Sequence, residues 1–149
     1  MQEMIEKALP FIRGSSNESK VYVGCDSIRV KKNDIWYARF ATVIVLHIDG
    51  LHGCKLFHKV TLERDFGNRE MRLMREAGLA FELATALIPL IGNKHLEVHL
   101  DFNPDPKFAS NKVVSEATGW CRGLGLNYKI KPDAPVASYA ADHACRYLA

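Results

Sequence analysis

The segment Val21-Tyr22-Val23-Gly24-Cys25-Asp26-Ser27 combines the apolar pattern of a buried strand with a carboxylate near its end. Aspartate is disfavoured in strands, and a buried charge is costly unless it is paired or binds a metal. Two later segments repeat this feature: Asp101 ends a short apolar strand, and Asp142 lies on a predicted helix of small residues near the C-terminus. We interpret the chain as a scaffold that brings these three acids together.

Length and composition predict one globular domain over residues 1–149. The chain has 149 residues, of which 48% are hydrophobic and 25% are charged, as is ordinary for a soluble domain. A chain of this length buries about two thirds of its unfolded surface and needs no disulfide staples. The net charge of +3 is compatible with a nucleic-acid partner but does not require one.

The four cysteines show no C-x-x-C spacing, so a zinc site or a redox motif has little support. We predict that Cys25, Cys121 and Cys145 are reduced residues of the core. The N-terminus lacks the basic and apolar regions of a signal peptide, and no apolar run is long enough to span a membrane. These features predict a cytoplasmic protein without a membrane partner.

The first half of the chain predicts a short helix followed by an antiparallel meander of three strands. Apolar spacing places the helix over Met1–Leu9, and Pro10 is expected to end it. Asp49-Gly50 is a strong hairpin signal. The predicted strands span Lys20–Ile28, Ile35–Ile48 and Gly53–Leu62.

In the second half, helices alternate with strands. Apolar residues recur at helical spacing between Asn68 and Leu90. The remaining predicted elements are a strand over His95–Asp101, a helix from Ser110 to Arg122, a strand over Leu126–Ile130 and a last helix from Pro135 to the C-terminus. After the first helix the order is βββαβαβα, which predicts an α/β fold with a mixed five-stranded sheet flanked by helices.

The two strand acids are expected to meet at one end of this sheet. Asp26 and Asp101 lie near the carboxyl ends of strands that can be adjacent and parallel, and open α/β sheets place ligand sites at such ends. The last helix carries a stripe of mostly small residues, which allows a close approach to the sheet. Asp142 flanks that stripe and is expected to reach the same cluster.

The long helix offers three candidates for a fourth acid, and helical geometry separates them. At about 100° per residue, Glu82 points to solvent, whereas Glu76 and Glu70 lie at about −60° and +60° from Leu73, at the edge of the buried face. We favour Glu76, because Glu70 lies in the first turn, where the helix dipole already accounts for an acid. A surface pair with Arg72 is the alternative explanation for Glu76.

Clustered carboxylates repel one another, and divalent cations relieve that repulsion. Oxygen-only ligands suit Mg²⁺ or Mn²⁺. Two such ions about 3.5–4 Å apart can activate a water and stabilise the leaving oxygen in phosphodiester cleavage. The sequence therefore predicts a site in which two ions are held by Asp26, Glu76, Asp101 and Asp142. For each acid taken alone, a cap or a surface group is the alternative.

Five further polar residues have both a functional and a structural interpretation. Asn103, Ser110 and Asn111 follow the fourth strand and are candidates to bind a phosphate or a sugar hydroxyl. Their alternative role is that of turn and cap residues. His99 and His143 adjoin two of the acids and are candidates to assist there, the alternatives being a polar filler of the core and a side chain that points away.

Basic side chains flank the predicted site, where they either neutralise phosphates or form an ordinary solvated face. Trp120 is a candidate for stacking on a base but fits a buried helix face better. The basic residues are Arg29, Lys31, Lys32, Arg69, Arg72, Arg75, Lys107, Lys112, Lys129 and Lys131.

Several motifs resemble the ribonuclease H fold, and most closely the YkuK-like family within it. The main segments are Gly24-Cys25-Asp26-Ser27, Val98-His99-Leu100-Asp101-Phe102-Asn103-Pro104 and Ala140-Ala141-Asp142-His143. Shorter matches at Ser110-Asn111, Gly123-Leu124-Gly125 and Lys131-Pro132 add to the likeness. Together these segments sample most of the chain from Lys20 onward.

The resemblance implies a ribonuclease H-like sheet in the strand order 3-2-1-4-5, with metal-binding acids at Asp26, Glu76, Asp101 and Asp142. The wider fold places its metal-binding glutamate near the start of the long helix, so Glu70 remains an alternative to Glu76. Fold and predicted site together, rather than the fold alone, predict a metal-dependent nuclease, with the RNA of an RNA/DNA hybrid as the first expected substrate and RNA or structured DNA as others. The alternatives are a non-catalytic nucleic-acid-binding module and a scaffold within a larger complex.

Overall fold

The computed structural model of the chain describes residues 1–108 and 110–148. Within these ranges no helix is long and apolar enough to cross a bilayer. The helices are α1 (Gln2–Gly14), α2 (Arg69–Leu87), α3 (Asn111–Gly123) and α4 (Asp142–Tyr147), and a π-helical segment, Val136–Ala141, runs directly into α4. The strands are β1 (Lys20–Lys32), β2 (Ile35–His47), β3 (Cys54–Arg64), β4 (His95–Leu100) and β5 (Tyr128–Ile130).

The five strands form one mixed sheet in the order β3-β2-β1-β4-β5. The central strand, β1, is antiparallel to β2 and parallel to β4. β3 extends the antiparallel half, and β5 pairs in parallel with β4. Short connections join the antiparallel strands, whereas helices cross over before β4 and β5, as parallel neighbours require. The predicted fold class and strand order are confirmed.

A tight turn lets β1 run beyond Ile28, where the prediction ended it, to Lys32. Asn33 and Asp34 both adopt positive φ, at 50° and 60°, a backbone region that Asn and Asp tolerate better than most residues. A two-residue turn of this kind matches the twist of the flanking strands. The two strands therefore stay paired as far as Lys32 and Ile35.

The first helix also runs further than predicted. Pro10 does not end α1, which continues to Gly14. A proline inside a helix removes a backbone hydrogen bond, but the continuation buries Ile12, which is 0% exposed. Burial of this apolar side chain beyond the proline offsets part of that loss.

The later helices begin and end close to their predicted limits. α2 starts at Arg69 because the side chain of Asn68 accepts a hydrogen bond of 3.0 Å from the N–H of Met71. It ends at Leu87, and the predicted extension to Leu90 forms a single 3₁₀ turn instead. The last helix was predicted to reach the C-terminus, but α4 ends at Tyr147, and Ala149 lies outside the described residues.

The two faces of the sheet pack against different helices. Helices α1, α2 and α3 share a core with the β1 residues Val21 and Val23. The last helix packs on the opposite face, against Ala41 and Val43 of β2. Since successive side chains of a strand point to opposite faces, neighbouring residues of β1 meet different helices.

Gly24 allows the last helix to approach β1 closely. A Cβ atom at this position would lie 3.1 Å from the backbone nitrogen of Ala137 and 3.2 Å from Cγ1 of Val136. Ala141 and Cys145 are fully buried further along the same packing. The small residues predicted to allow a close approach therefore lie where the helix meets the sheet.

Candidate active site

Asp26 lies on the central strand, at the end of the sheet where β4 also ends. The parallel register pairs Gly24 with His99, and two further residues along each chain bring Asp26 beside Asp101. Burial raises the pKa of Asp26 to about 7, and the charges of Asp101 and Asp142 contribute to that rise. Asp101 and Asp142 therefore lie close enough to Asp26 to act on its charge.

Glu76 is the buried acid of α2, and its side chain is only partly satisfied. The residue is 4% exposed. Its Oε1 accepts a hydrogen bond of 2.5 Å from the hydroxyl of Ser27, but its Oε2 has no hydrogen-bond partner in the described part of the chain. Burial and then the charge of Asp26 raise the pKa of Glu76 well above its usual range. One buried carboxylate oxygen thus remains available.

The structure places the two candidate glutamates of α2 in different environments. Glu70 lies in the first turn, is exposed, and pairs with Lys112 at 3.4 Å. The surface pair between Arg72 and Glu76, which was the alternative interpretation of Glu76, is not among the ion pairs of the described residues. The Arg72 guanidinium lies 3.6 Å from Asp65 instead. Glu76 rather than Glu70 therefore lies with the other acids, although its role as a ligand stays a prediction.

Basic side chains already pair with the other two carboxylates. Oδ1 of Asp101 accepts a hydrogen bond of 2.8 Å from the Ser138 hydroxyl and lies 3.0 Å from Nζ of Lys131. Oδ1 of Asp142 accepts a hydrogen bond of 2.7 Å from Nε of Arg146, four residues later on α4. These ion pairs partly balance the charge of the acid cluster.

A buried thiol on the last helix forms a hydrogen bond with the strand that carries Asp26. Sγ of Cys145 donates a hydrogen bond of 3.0 Å to the backbone carbonyl of Asp26. Burial raises the pKa of Cys145 to about 12, so the thiol keeps its proton at neutral pH. The contact joins β1 to α4 three residues after Asp142.

The acids converge on this end from both faces of the sheet. Ser27 and Asp26 are adjacent on β1 and point to opposite faces, so Glu76 approaches from the α2 side and Asp142 from the α4 side. Among residues 1–108 and 110–148, no group of three or more histidine, cysteine, aspartate or glutamate side chains could hold a metal ion. The oxygen donors and the free Glu76 oxygen suit Mg²⁺ or Mn²⁺ in kind, but the described side chains do not form a coordination shell.

The predicted substrate-binding residues hold together the loop after β4. The Ser110 hydroxyl accepts a hydrogen bond of 2.9 Å from the N–H of Asn103, whose own side chain accepts one of 2.9 Å from the N–H of Asp105. Nδ2 of Asn111 donates to the carbonyl of Pro104 at 2.6 Å. These contacts are those of turn residues, and a role in binding substrate stays a prediction.

The two candidate histidines lie in contrasting positions. His99 is buried, and its ring links strand and helix: Nδ1 accepts a hydrogen bond of 3.3 Å from the N–H of Val136, and Nε2 lies 2.8 Å from Glu97. Burial lowers the pKa of His99, against the effect of Glu97. His143 is exposed, with its ring 5.0 Å from that of Tyr147. The contacts of His99 are those of a residue that positions the last helix.

Four residues contact the acids in ways that the sequence did not predict. Ser27, Lys131, Ser138 and Arg146 each contact a carboxylate directly. Ser27 had a weak signal, because it follows Asp26 and must point to the opposite face of β1. Lys131 was expected only as one of many flanking basic residues, and nothing in the local sequence indicated that it and Ser138 would both reach Asp101.

Comparison with known proteins agrees with this fold. A family model described as Ribonuclease H-like matches residues 3–146. The chain therefore belongs to the Ribonuclease H-like family. It is similar to the Bacillus subtilis (strain 168) protein called Uncharacterized protein YkuK, with 28% identity over 157 residues that cover 93% of this chain and 87% of that protein. No solved structure gives a significant match. The resemblance inferred from the motifs is confirmed.

Proposed function

We propose that the protein is a metal-dependent nuclease that hydrolyses phosphodiester bonds of nucleic acid. The observation that carries the proposal is the unpartnered Oε2 of Glu76, a buried oxygen whose neighbours include Asp26 and Asp101. Leaving such a group unsatisfied costs folding free energy, and a bound cation would satisfy it. Membership of the Ribonuclease H-like family supports a function related to nucleic acid.

The proposed ligands of Mg²⁺ or Mn²⁺ are Asp26, Glu76, Asp101 and Asp142. When bound, two such cations supply a water activated for attack and stabilise charge on the leaving oxygen. The chain itself keeps the carboxylates together in a partly dry environment, where their charges act strongly. Burial, and then the charges of neighbouring carboxylates, raise the pKa values of Asp26 and Glu76 in that arrangement.

Cation binding through Oδ1 of Asp101 or of Asp142 would require that oxygen to exchange its present partner. The side chains of Lys131 and Arg146 are 39% and 51% exposed, and ion pairs this exposed are worth only about 0–1 kcal/mol. Both basic groups can therefore turn toward solvent, where they are placed to contact phosphates of the substrate. Metal binding and substrate binding are coupled in this scheme.

The substrate proposed first is the RNA strand of an RNA/DNA hybrid, followed by RNA and structured DNA. Asn103, Ser110 and Asn111 remain candidate contacts to a phosphate or a sugar hydroxyl, because their loop follows β4 at the end where Asp101 lies. Each already makes a contact within the protein. Binding through them would therefore use their remaining donors and acceptors.

The test is a cleavage assay on labelled hybrid, duplex, junction and single-stranded substrates in Mg²⁺ or Mn²⁺. Asp26→Asn and Glu76→Gln should each lower the cleavage rate by more than about 100-fold, since even outer-shell partners of metal ligands cost about 10–100-fold. Glu70→Gln is the matched control, because it makes the same change at an exposed position of the same helix. Its rate should stay close to that of the unchanged protein.

Two results would contradict the assignment in different ways. Full activity of Asp26→Asn would show that another site cleaves the substrate. Loss of activity in Glu70→Gln, with Glu76→Gln still active, would show that the wrong glutamate of α2 had been chosen.

A nucleic-acid-binding module without turnover is the second candidate function. The observation that favours it is the lack of a metal-holding group of side chains within the described ranges. Such a module would bind nucleic acid with an affinity that falls as salt rises. It would cleave none of the substrates with either cation, and Asp26→Asn would leave its affinity unchanged.

A further inference from the structure

An open groove with aromatic and basic rims lies on the α2 side of the sheet. It measures about 450 Å³ and runs between the start of α2 and the adjoining ends of β2 and β3. Its lining is mostly apolar and includes Ala38, Phe40 and Met74. Two further lining residues, Phe66 and Met71, are 84% and 68% exposed, so the apolar surface continues onto the rim.

Trp36 provides a second aromatic ring beside this groove. Its indole is 41% exposed, and the Arg29 guanidinium lies 4.4 Å from the ring centroid. Arg29 is held in turn by an ion pair with Asp65, whose N–H donates a hydrogen bond of 3.0 Å to the carbonyl of Trp36. The Arg29 guanidinium therefore lies against the indole, and part of Trp36 faces solvent.

The charge around the groove is predominantly positive. Arg29 and Arg72 share a single carboxylate, that of Asp65, so this group of three carries a net positive charge. Arg64 and Arg69 are exposed and make no ion pair with any described residue. Arg64 instead lies 5.6 Å from the ring centroid of Phe66. A polyanion that also offers flat apolar surfaces is complementary to such a groove.

We infer that this groove binds an unpaired strand of nucleic acid. Bases stack on Trp36 and Phe66, and phosphates contact Arg64 and Arg72, a combination that binds single strands without sequence preference. The inference rests on the proposed action on nucleic acid. Arg72 lies one helical turn before Glu76, so a strand that follows the groove leads to the acid cluster. The substrate would then carry a single-stranded segment beside the bond that is cut.

The aromatic rings distinguish this occupant from two others. A continuous duplex hides the faces of its bases in its own stack, so it presents only its backbone to Trp36 and Phe66. An acidic peptide satisfies the arginines but leaves the rings without planar partners. Unpaired bases alone use both the charge and the exposed rings.

The test measures binding in EDTA, where no cation-dependent cleavage occurs. A fluorescein-labelled oligothymidylate of about 12 nucleotides, within the range bound by small single-strand-binding folds, is titrated by fluorescence anisotropy beside a blunt duplex of the same length. Trp36→Ala and Phe66→Ala should each weaken binding of the single strand by about fivefold or more, since stacking contributes about 1–3 kcal/mol per base. The duplex should bind more weakly and change little.

Phe11→Ala is the matched control. Phe11 is 45% exposed, with Nζ of Lys55 lying 3.8 Å from its ring centroid. It therefore has the same aromatic and cationic character as Trp36, but it lies at the opposite end of the sheet. Its removal should leave the affinity unchanged. Thermal unfolding of every variant identifies any loss that comes from misfolding.

An intrinsic signal gives a second measurement. The chain has two tryptophans, Trp36 and Trp120. In a Trp120→Phe background all tryptophan emission comes from Trp36, so adding the oligonucleotide should quench and shift that emission. In a Trp36→Phe background the emission should not change. Quenching of Trp120 alone would overturn the assignment of the groove.

The outcomes separate this inference from the proposed nuclease activity. Binding that depends on Trp36, without cleavage of any substrate, would retain the groove and reject the nuclease. Asp26-dependent cleavage, with unchanged single-strand binding in Trp36→Ala and Phe66→Ala, would retain the nuclease and reject the groove. Equal or tighter binding of the duplex, or equal binding of a polyglutamate peptide, would also reject it.

Discussion

The hydroxyl of Ser27 on β1 donates a hydrogen bond of 2.5 Å to Oε1 of Glu76 on α2. It is the direct contact between the central strand and the buried acid of the long helix. Because Ser27 and Asp26 are adjacent on β1, their side chains point to opposite faces of the sheet. The serine satisfies one oxygen of Glu76, and Asp26 lies with the other acids.

Replacing Ser27 by alanine should destabilise the protein by about 1–3 kcal/mol, because it leaves both oxygens of a buried carboxyl group without a partner. The hydrogen bond from Ser27 also opposes the rise in the pKa of Glu76, so its loss should raise that pKa further. Denaturant unfolding in EDTA measures the change in the free energy of unfolding.

Ser115→Ala is the control for this change, because Ser115 is exposed on α3. Exposed substitutions of this kind usually change stability by less than about 0.5 kcal/mol. Equal stability of the two variants would show that the Ser27 hydroxyl does not support Glu76.

The metal-free protein should lose stability as the pH rises from about 4 to about 8. The pKa of Asp26 is near 3.8 in the unfolded chain and about 7 in the fold, so the folded state holds more protons between these values. Asp26→Asn removes this titration and should be more stable than the unchanged protein at pH 8. The gain is at most about 4 kcal/mol, at about 1.4 kcal/mol per pKa unit, and it should disappear near pH 4.

Unfolding curves in EDTA across this pH range test the sign directly. Asp34→Asn is a control in a nearby exposed turn, where asparagine tolerates the positive φ of 60°. It should leave the free energy of unfolding close to that of the unchanged protein. An Asp26→Asn variant that is less stable at pH 8 would contradict the assigned environment of Asp26.

Gly24→Ala should destabilise the contact between β1 and the last helix. The new Cβ would lie 3.1 Å from the backbone nitrogen of Ala137, and overpacking of this kind costs about 1–3 kcal/mol. Removing a glycine from a strand recovers about 0.5–1 kcal/mol, so the expected net loss is about 1 kcal/mol. Thermal unfolding measures it.

Gly119→Ala makes the same chemical change where no atom lies within 4 Å of the new methyl group. Because Gly119 is inside α3, alanine should stabilise the protein there, by about 0.5–1 kcal/mol. The two substitutions should therefore have opposite signs. Stabilisation by Gly24→Ala as well would show that the helix does not depend on the missing side chain at Gly24.

Lys131→Met should strengthen binding of Mg²⁺ if Asp101 is a ligand. Nζ of Lys131 lies 3.0 Å from Oδ1 of Asp101. The ammonium group therefore pairs with this carboxylate and repels a Mg²⁺ ion that approaches it. Removing a unit charge about 4 Å away in water is worth about 1 kcal/mol, or about a fivefold lower Kd. Calorimetric titration with Mg²⁺ measures the change.

Lys129→Met is the matched control, because Lys129 lies on the same short strand, β5, and forms no ion pair with a described acid. The Kd for Mg²⁺ should not change in this variant. Weaker binding in Lys131→Met would mean that the lysine supports the cation site rather than competing for it.

Much of the fold followed from local patterns. Asp49-Gly50 indicated the second hairpin, and the stripe through Leu73 indicated α2 with nearly correct limits. The errors came where a local rule was overridden by packing elsewhere. Pro10 was expected to end α1, but the burial of Ile12 carries the helix onward. β1 was ended too early because Asn33 and Asp34 form a tighter turn than their composition indicated.

The positions of the acids were predicted better than their partners. Helical geometry placed Glu76 at the edge of the buried face, and the structure buries it almost completely. The Arg72 alternative was wrong, because Arg72 pairs with Asp65 at the end of β3. Neither the free oxygen of Glu76 nor the lysine on Asp101 has a signature in local sequence.

The sequence by itself determined the order of elements, the topology of the sheet and the end at which the acids collect. Hydrophobic period, turn residues and crossover helices are properties of neighbouring residues, and they leave few topologies open. Only the tertiary structure decided which carboxylate oxygens are satisfied. Those interactions join distant residues, such as Ser27 with Glu76 and Lys131 with Asp101, and they depend on side-chain directions that periodicity does not encode.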